Sequence, residues 1–405
     1  MYRCCFFFVD SGFLFWVWKF AAERVPDCGV GLVKTIQGIG LGREPENLQQ
    51  SGGSREAPAR VGLALLGGVG VSATMSSPVN RGKRGAMDTP LVIIAGPTAS
   101  GKSGLALAVA EKLDGSVINA DSMQVYRDLA ILTSRPGAHE TARVPHRLYG
   151  VLDGASPCSA VRWRDMAREE ISTAAGQGRL PVCVGGTGLY LRTLIRGLAA
   201  IPDIPEAVRH AARARHRELG GEAFHGELAA RDLETAARLH VNDRQRLIRA
   251  WEVLEATGRG LSDWQKRHTP QEGLAAGVRS AMIVLMPPRE ALYGACDERF
   301  WRMMEDGLMD EVRALDARGL DPSLPVMKAV GLREMLRHCH GEISLEEAVS
   351  LAQRSTRRYA KRQMTWLRHQ LDHGKMESMI IEDLYEKTQL PEIFSFLHRF
   401  LLSQG

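Results

Sequence analysis

The octapeptide Gly96-Pro97-Thr98-Ala99-Ser100-Gly101-Lys102-Ser103 constrains this chain more than any other stretch. It lies between an apolar, β-branched run, Leu91–Ala95, and a helical pattern from Gly104 to Leu113. Strand, glycine-bearing loop and helix in that order make a phosphate-binding loop. Glycine lets backbone N–H groups close around an anion, and the helix N-terminus adds its positive partial charge. Lys102 can reach terminal phosphate oxygens, and the Ser103 hydroxyl suits Mg²⁺. The expected ligand is a di- or triphosphate.

Further apolar runs recur at Val117–Ile118, Val182–Val184 and Met282–Leu285, with helical patterns between them. Parallel strands joined by crossover helices read this way. One helix is predicted from an N-cap at Ser159 to Gly176 and Gly178. Two more helical segments are predicted near Arg289–Arg318 and Leu345–Leu371. From Ile201 to Gly277 the texture is Ala-, Arg-, Glu- and Leu-rich, with no strand signal. The expected fold is α/β: a P-loop NTPase-like parallel sheet core with a mostly helical insertion domain. The core takes residues 89–200 and 278–375, the insertion 201–277, and an amphipathic C-terminal tail 376–405.

Residues 1–88 read differently. Cys4–Phe20 is rich in Phe and Trp but carries Asp10 and Lys19, and residues 38–88 run through Gly, Ser, Arg and Pro with little periodicity, as a disordered linker does. A membrane anchor, a targeting peptide and a start codon chosen too early are the three readings. The last is favoured, because folded patterning begins near Pro90 and Met75 and Met87 supply later starts. The seven cysteines are scattered with no C-x-x-C pair, which suits a reducing, cytoplasmic setting without a zinc site. A net charge of +5 permits a nucleic-acid partner without arguing for one.

Two more loops follow strand-like runs. Asn119-Ala120-Asp121-Ser122-Met123-Gln124 follows Val117-Ile118, and strand C-terminal ends form the ligand crevice of open α/β sheets. Asp121 reads either as an Asx turn or helix cap, or as a carboxylate for metal binding or general-base work. Gly185-Gly186-Thr187-Gly188 reads as a tight turn or as a backbone surface for a ligand. Beyond Asp121 no strand ends in an Asp for Mg²⁺, so the loop can hold a diphosphate without hydrolysing a nucleotide. Basic clusters lie at Asn242–Arg249, Lys328–Arg333 and Arg357–Arg368. Singly each is a solvated face. Together, interleaved with Trp and Tyr, they suit RNA. Arg299 reads as a surface residue or a phosphate clamp.

Seven segments in order resemble the tRNA dimethylallyltransferases of bacterial type. They are GPTASGKS at Gly96–Ser103, ADSMQVY at Ala120–Tyr126, PHRLYG at Pro145–Gly150, VGGTGLY at Val184–Tyr190, NDRQRLIRAWEV at Asn242–Val253, KAVGLRE at Lys328–Glu334 and AKRQMTWLR at Ala360–Arg368. The resemblance implies transfer of a dimethylallyl group from dimethylallyl diphosphate to N6 of adenosine 37 in tRNA, with Mg²⁺ assisting. It implies that Asp121 takes the N6 proton, and that Thr187 and Arg299 stabilise the departing diphosphate. Gly96, Pro97, Thr98, Ala99, Ser100, Gly101, Lys102 and Ser103 would hold that diphosphate. It implies tRNA contacts at Asp121, Ser122, Met123, Gln124, Thr187 and Arg209. Further contacts would be Gln245, Arg246, Leu247, Ile248, Arg249, Lys328, Ala329, Val330, Gly331, Leu332 and Arg333. The insertion would grip the anticodon stem-loop, with the enzyme working as a monomer and no membrane partner.

The chain departs from the family pattern in two places. Leu132-Thr133-Ser134-Arg135-Pro136 stands where many relatives read Gly-Thr-Ala-Lys-Pro, and Arg for Lys changes the geometry of the charge. Arg244 stands where Pro is common. The main alternative is an ATP-using P-loop small-molecule kinase, which leaves the insertion and the basic clusters unexplained. A non-catalytic RNA-binding protein and a prenyltransferase for free adenine nucleotides rank lower.

Overall fold

The computed structural model describes residues 89–267, 273–275, 277–370 and 376–403; the readings made for residues 1–88 lie outside them. Strand β1, Thr89–Ala95, sends Leu91, Ile93 and Ala95 to one face and Val92 and Ile94 to the other. All five are buried, as a central parallel strand requires. Helix α1 is Lys102–Lys112 and β2 is Gly115–Asn119. A short helix α2, Ala138–Arg143, leads to the two-residue β3, His146–Arg147. Then come α3, Ala160–Gly176, β4, Leu180–Gly185, and α4, Gly188–Arg196. The Ser159 side chain caps α3 by accepting from Arg162 N at 3.1 Å, as its sequence predicts.

Among the described residues of the stretch expected as the insertion there are four α-helices: α5, Glu206–Arg231, α6, Leu233–Ala236, α7, Arg244–Thr257, and α8, Leu261–Lys266. They close around their own core of Ala212, Phe224, Leu228, Leu247, Ala250 and Leu254. Asp232 and Asp243 cap α6 and α7, and Gly258 ends α7 in the left-handed region. Gly220, at φ 75°, kinks α5.

The chain returns to the sheet as β5, Val278–Leu285. Helices α9, Arg289–Glu305, and α10, Leu308–Asp316, replace the one helix expected over Arg289–Arg318. Gly307, at φ 94°, separates them. Helices α11, Leu332–Cys339, and α12, Leu345–Gln370, follow. The region read as an amphipathic tail supplies a strand, β6, Glu377–Ile381, and a helix, α13, Leu390–Leu402. Ile393, Leu397 and Phe400 of α13 are fully buried, worth roughly 1.5–3 kcal/mol each.

The sheet order is β3-β2-β4-β1-β5-β6, and every pairing is parallel. Helices α1 and α13 cover one face; α3, α4 and α9 to α12 cover the other. From β1 the chain crosses β4's place to β2 and β3, returns at β4, and then builds outward on the opposite side with β5 and β6. The carboxyl ends of β1, β2 and β4 therefore share the crevice where such sheets bind ligands.

Candidate active site

The phosphate-binding loop hangs from the end of β1. Gly101 sits at φ 86° and Ala99 at φ 64°, a conformation rare for a residue with a Cβ. A Cβ on Gly96 would meet Ser100 Oγ at 2.7 Å and Leu285 Cβ at 3.1 Å, so a larger residue there would have to displace the Ser100 hydroxyl. Ser100 Oγ and Arg299 Nε are both buried with no hydrogen-bond partner among the described residues. Buried donors without partners are uncommon, and here they border a loop shaped for an oxyanion. Arg299, on α9, donates to Thr98 Oγ1 at 2.6 Å, which fixes the guanidinium against the loop. Lys102 Nζ donates to Pro97 O at 3.2 Å.

These cations are held in dry surroundings. Loss of hydration lowers the Lys102 ammonium to about 8; Asp121 opposes the shift and Arg299 reinforces it. Burial likewise lowers Arg299, with Cys296 and Asp121 opposing. Asp121, from a different strand end, is the carboxylate that opposes the shift of both cations.

Asp121 follows β2, and the turn reading of it is observed. Its Oδ1 accepts from Met123 N at 2.9 Å, an Asx turn. Asn119 braces the same turn: its Oδ1 accepts from Asp121 N at 2.7 Å, and its Nδ2 donates to Asp121 O at 3.0 Å. Trp163 of α3 donates to Asn119 O at 2.9 Å and stacks on Tyr190 at 4.5 Å between centroids. Thr187, the residue before α4, accepts from Ser122 N at 2.9 Å through Oγ1. Tyr359 of α12 also reaches the Thr187 hydroxyl; burial raises its phenol, and Asp121 raises it further.

Asp121, Ser122, Met123, Thr98 and Arg299 line one pocket of about 130 Å³. Met123, Leu132, Phe300, Met303 and Val330 make much of its wall apolar, and Lys328 stands at its edge. A few converging polar groups in an apolar cleft are what a small-molecule or nucleobase site offers. The pocket thus draws together the second loop, the phosphate loop, Arg299 and the Lys328–Val330 turn, which are scattered along the sequence.

The other expected RNA contacts separate by exposure. Gln245, Arg246, Lys328 and Arg333 are exposed, and Arg209 and Arg249 half-exposed. Leu247 and Ile248 turn into the insertion core at 0% and 9% exposure, and Ala329 and Leu332 are buried in the main core. Those four side chains hold their neighbours in place instead of facing solvent. Gly331, at φ 89°, starts α11. Gln124 donates to Thr133 O at 2.9 Å, steadying the pocket's Leu132–Thr133 wall. Arg135 donates to Tyr126 O at 3.0 Å, so its fork braces the loop. Two contributors are not among the site residues expected from the sequence, although Gln363 lies within the segment Ala360–Arg368. Tyr385, after β6, donates its amide to Ser100 O at 3.1 Å, and Gln363 of α12 bonds the phosphate loop.

The Lys102 shift has a measurable consequence. Below about 8 Lys102 keeps the ammonium with which a bound phosphate would pair; above it the proton leaves. A bound anion raises the lysine again. The KM for the phosphorylated substrate is therefore expected to climb as pH passes 8, by up to about tenfold per unit, with kcat nearly flat. Steady-state kinetics from pH 6.5 to 9.5 checks this. A KM independent of pH over that range would contradict it.

The donor set bears on Mg²⁺. Among the described residues no cluster of three or more His, Cys, Asp or Glu could hold a metal ion. Ser103 and Asp121 are hard oxygen donors beside the loop, which fits Mg²⁺ bound mainly by substrate phosphates and water, not a closed protein cage.

Comparisons with known proteins place the chain in a family. A family model described as IPP transferase matches residues 124–370, and one described as isopentenyl transferase matches 89–153. A tRNA dimethylallyltransferase of Rhodospirillum centenum is 56% identical over 284 residues, covering 70% of this chain and 89% of its own. One from Rhodospirillum rubrum is 49% identical over 314 residues, covering 78% and 96%. The structure of a tRNA isopentenylpyrophosphate transferase from Bacillus halodurans is 35% identical, covers 77% of this chain and 97% of its own, and superposes with a TM-score of 0.55. A eukaryotic dimethylallyltransferase acting on tRNA superposes at 0.66 with 25% identity, covering 78% and 80%. With a family model spanning most of the catalytic region and relatives near half identity over nearly their whole length, this chain belongs to the IPP transferase family.

Proposed function

We propose that this chain is a tRNA dimethylallyltransferase, transferring a dimethylallyl group from its diphosphate to N6 of adenosine 37. The observation that carries the reading is one pocket lined by Asp121, Arg299 and Thr98 of the phosphate-binding loop. The relatives' names favour it over a small-molecule kinase. In the proposed reaction the N6–C1 bond forms as the bond from C1 to the diphosphate oxygen breaks. Asp121 accepts the N6 proton. The loop amides, Lys102 and Arg299 take up the charge developing on pyrophosphate. Thr187 holds the Asp121 turn through Ser122. Mg²⁺, near Ser103, would neutralise part of the diphosphate charge. The adenine must leave its stack to enter so small a pocket, which a loop makes less costly than a duplex.

The basic residues give the RNA partner its reading. Arg246, 74% exposed, pairs loosely with Asp243 at 3.4 Å, and Arg249 reaches Glu252 at 3.4 Å. With Lys328 and Arg333 they offer phosphate contacts on the insertion and at the pocket edge. The proposed target is the anticodon stem-loop. Arg246→Ala and Arg249→Ala are each expected to weaken tRNA binding and to lower its salt slope by about 0.7–0.9. Binding titrations across a range of salt measure this, and unchanged slopes would remove these arginines from the interface. One copy carries every residue named here, so the working unit is proposed as a monomer. Among the described residues no helix is long and apolar enough to cross a membrane, and the four described cysteines are free. The proposed setting is the cytoplasm.

The deciding experiment incubates the protein with dimethylallyl diphosphate, Mg²⁺ and an unmodified tRNA that has adenosine at position 37. Mass spectrometry of the nucleosides should show N6-(dimethylallyl)adenosine. ATP turnover without that product would favour the kinase.

A further inference from the structure

We propose that Gln363 is a positioning residue that sets the distance between the donor's diphosphate cradle and the acceptor's base. This inference rests on the prenyl-transfer reading. Helix α12 carries many cations, and Gln363 lies among them, yet it is only 5% exposed. Its Oε1 accepts from Thr98 N at 2.8 Å, inside the phosphate-binding loop. Its Nε2 donates to Gly186 O at 2.8 Å, in the loop after β4. One amide therefore joins two loops that come from different strands.

Each loop continues into one half of the reaction. Thr98 receives the Arg299 guanidinium on its hydroxyl, so its backbone placement fixes the cation that faces the leaving group. Gly186 precedes Thr187, which holds Ser122 N and hence the Asp121 turn. The path from leaving-group cation to base thus runs Arg299, Thr98, Gln363, Gly186, Thr187, Ser122, Asp121. The two loops pack closely around this amide. A Cβ on Gly186 would meet the Gln363 amide nitrogen, and it would lie 2.6 Å from Gly96 O. The chemistry is equally restrictive. One site needs an acceptor and the other a donor. A carboxylate would supply no donor and would place a negative charge beside a diphosphate. A neutral amide meets both needs.

The test uses Gln363→Met, which keeps the length without hydrogen bonding, and Gln363→Asn, which keeps the amide but shortens its reach. Wild-type and variant proteins are assayed with dimethylallyl diphosphate, Mg²⁺ and unmodified tRNA. In both variants kcat should fall by about 30- to 100-fold, the scale of a misplacement near 1 Å. The KM for the donor and the Kd for tRNA should each stay within about threefold, because each half-site still binds its own ligand. Variants with kcat within about threefold of an active wild type would overturn the proposal. So would losses in both affinities that track a fall in Tm, the mark of a purely structural amide. If Gln363→Met does not fold, Gln363→Asn decides. A wild type that yields no prenylated nucleoside would instead overturn the functional reading, and this inference with it.

Discussion

Asp121→Asn is expected to lower kcat for prenyl transfer by about 10²-fold or more, the scale of a lost general base. The substitution is nearly isosteric, and an asparagine Oδ1 can still accept from Met123 N, as Asp121 does at 2.9 Å. The turn, its Asn119 brace and the Thr187–Ser122 bond should persist. What disappears is a negative, basic oxygen facing Lys102 and Arg299. The adenine N6 amine is a poor nucleophile until its proton has somewhere to go. Single-turnover rates with saturating tRNA isolate the chemical step. The KM for tRNA should change little. A turnover near that of the wild type would remove Asp121 from the proton-accepting role and leave it as a turn residue.

Arg299→Ala is the second large effect. A guanidinium dried by its surroundings and aimed at developing anionic charge is worth far more than one in water. Its loss should lower kcat by about 10²- to 10³-fold, as for other preorganised donors. Arg299→Lys should recover only part of this. A lysine restores the charge but cannot hold Thr98 Oγ1 with one arm and offer Nε elsewhere. Inhibition by added pyrophosphate should weaken in parallel, because in the proposed mechanism the same group holds the product. Unaltered pyrophosphate inhibition with reduced kcat would place Arg299 away from the leaving group.

The parts of this site that follow strand ends were legible in the sequence. The run before Gly96, the glycine spacing and Lys102 define a local structure with one physical use. Asp121 and Thr187 follow strand-like runs, so parallel-sheet logic places them in the same crevice. The α/β class and the parallel sheet were legible for the same reason. Strand β6 was not. Glu377-Ser378-Met379-Ile380-Ile381 is an edge strand with one buried side chain, Ile381, and its period is too weak to separate from an amphipathic tail. The helix expected over Arg289–Arg318 breaks at Gly307, where an apolar pattern continues on both sides and only the backbone changes hand.

Within the RNA-facing segments, sequence proximity hid a division of labour. Leu247 and Ile248 sit beside exposed Arg246, but the turn of α7 sends them inward. Gln363 was masked by its neighbours: a polar residue among arginines reads as surface. Its role comes from Thr98 and Gly186, far away in the chain, and no local pattern carries such a contact. Tyr385 is similar, reaching Ser100 O from the far side of β6.

A crystal structure with an unreactive thio-analogue of dimethylallyl diphosphate and an anticodon stem-loop tests the central claim most directly. The account predicts the diphosphate on the amides of Gly101 to Ser103, contacted by Lys102 and Arg299. It also predicts adenine 37 extruded into the pocket beside Met123 and Phe300, with N6 within hydrogen-bond reach of Asp121 and in line with C1 of the analogue. A diphosphate bound away from the loop, or an adenine left stacked with N6 remote from Asp121, would contradict it.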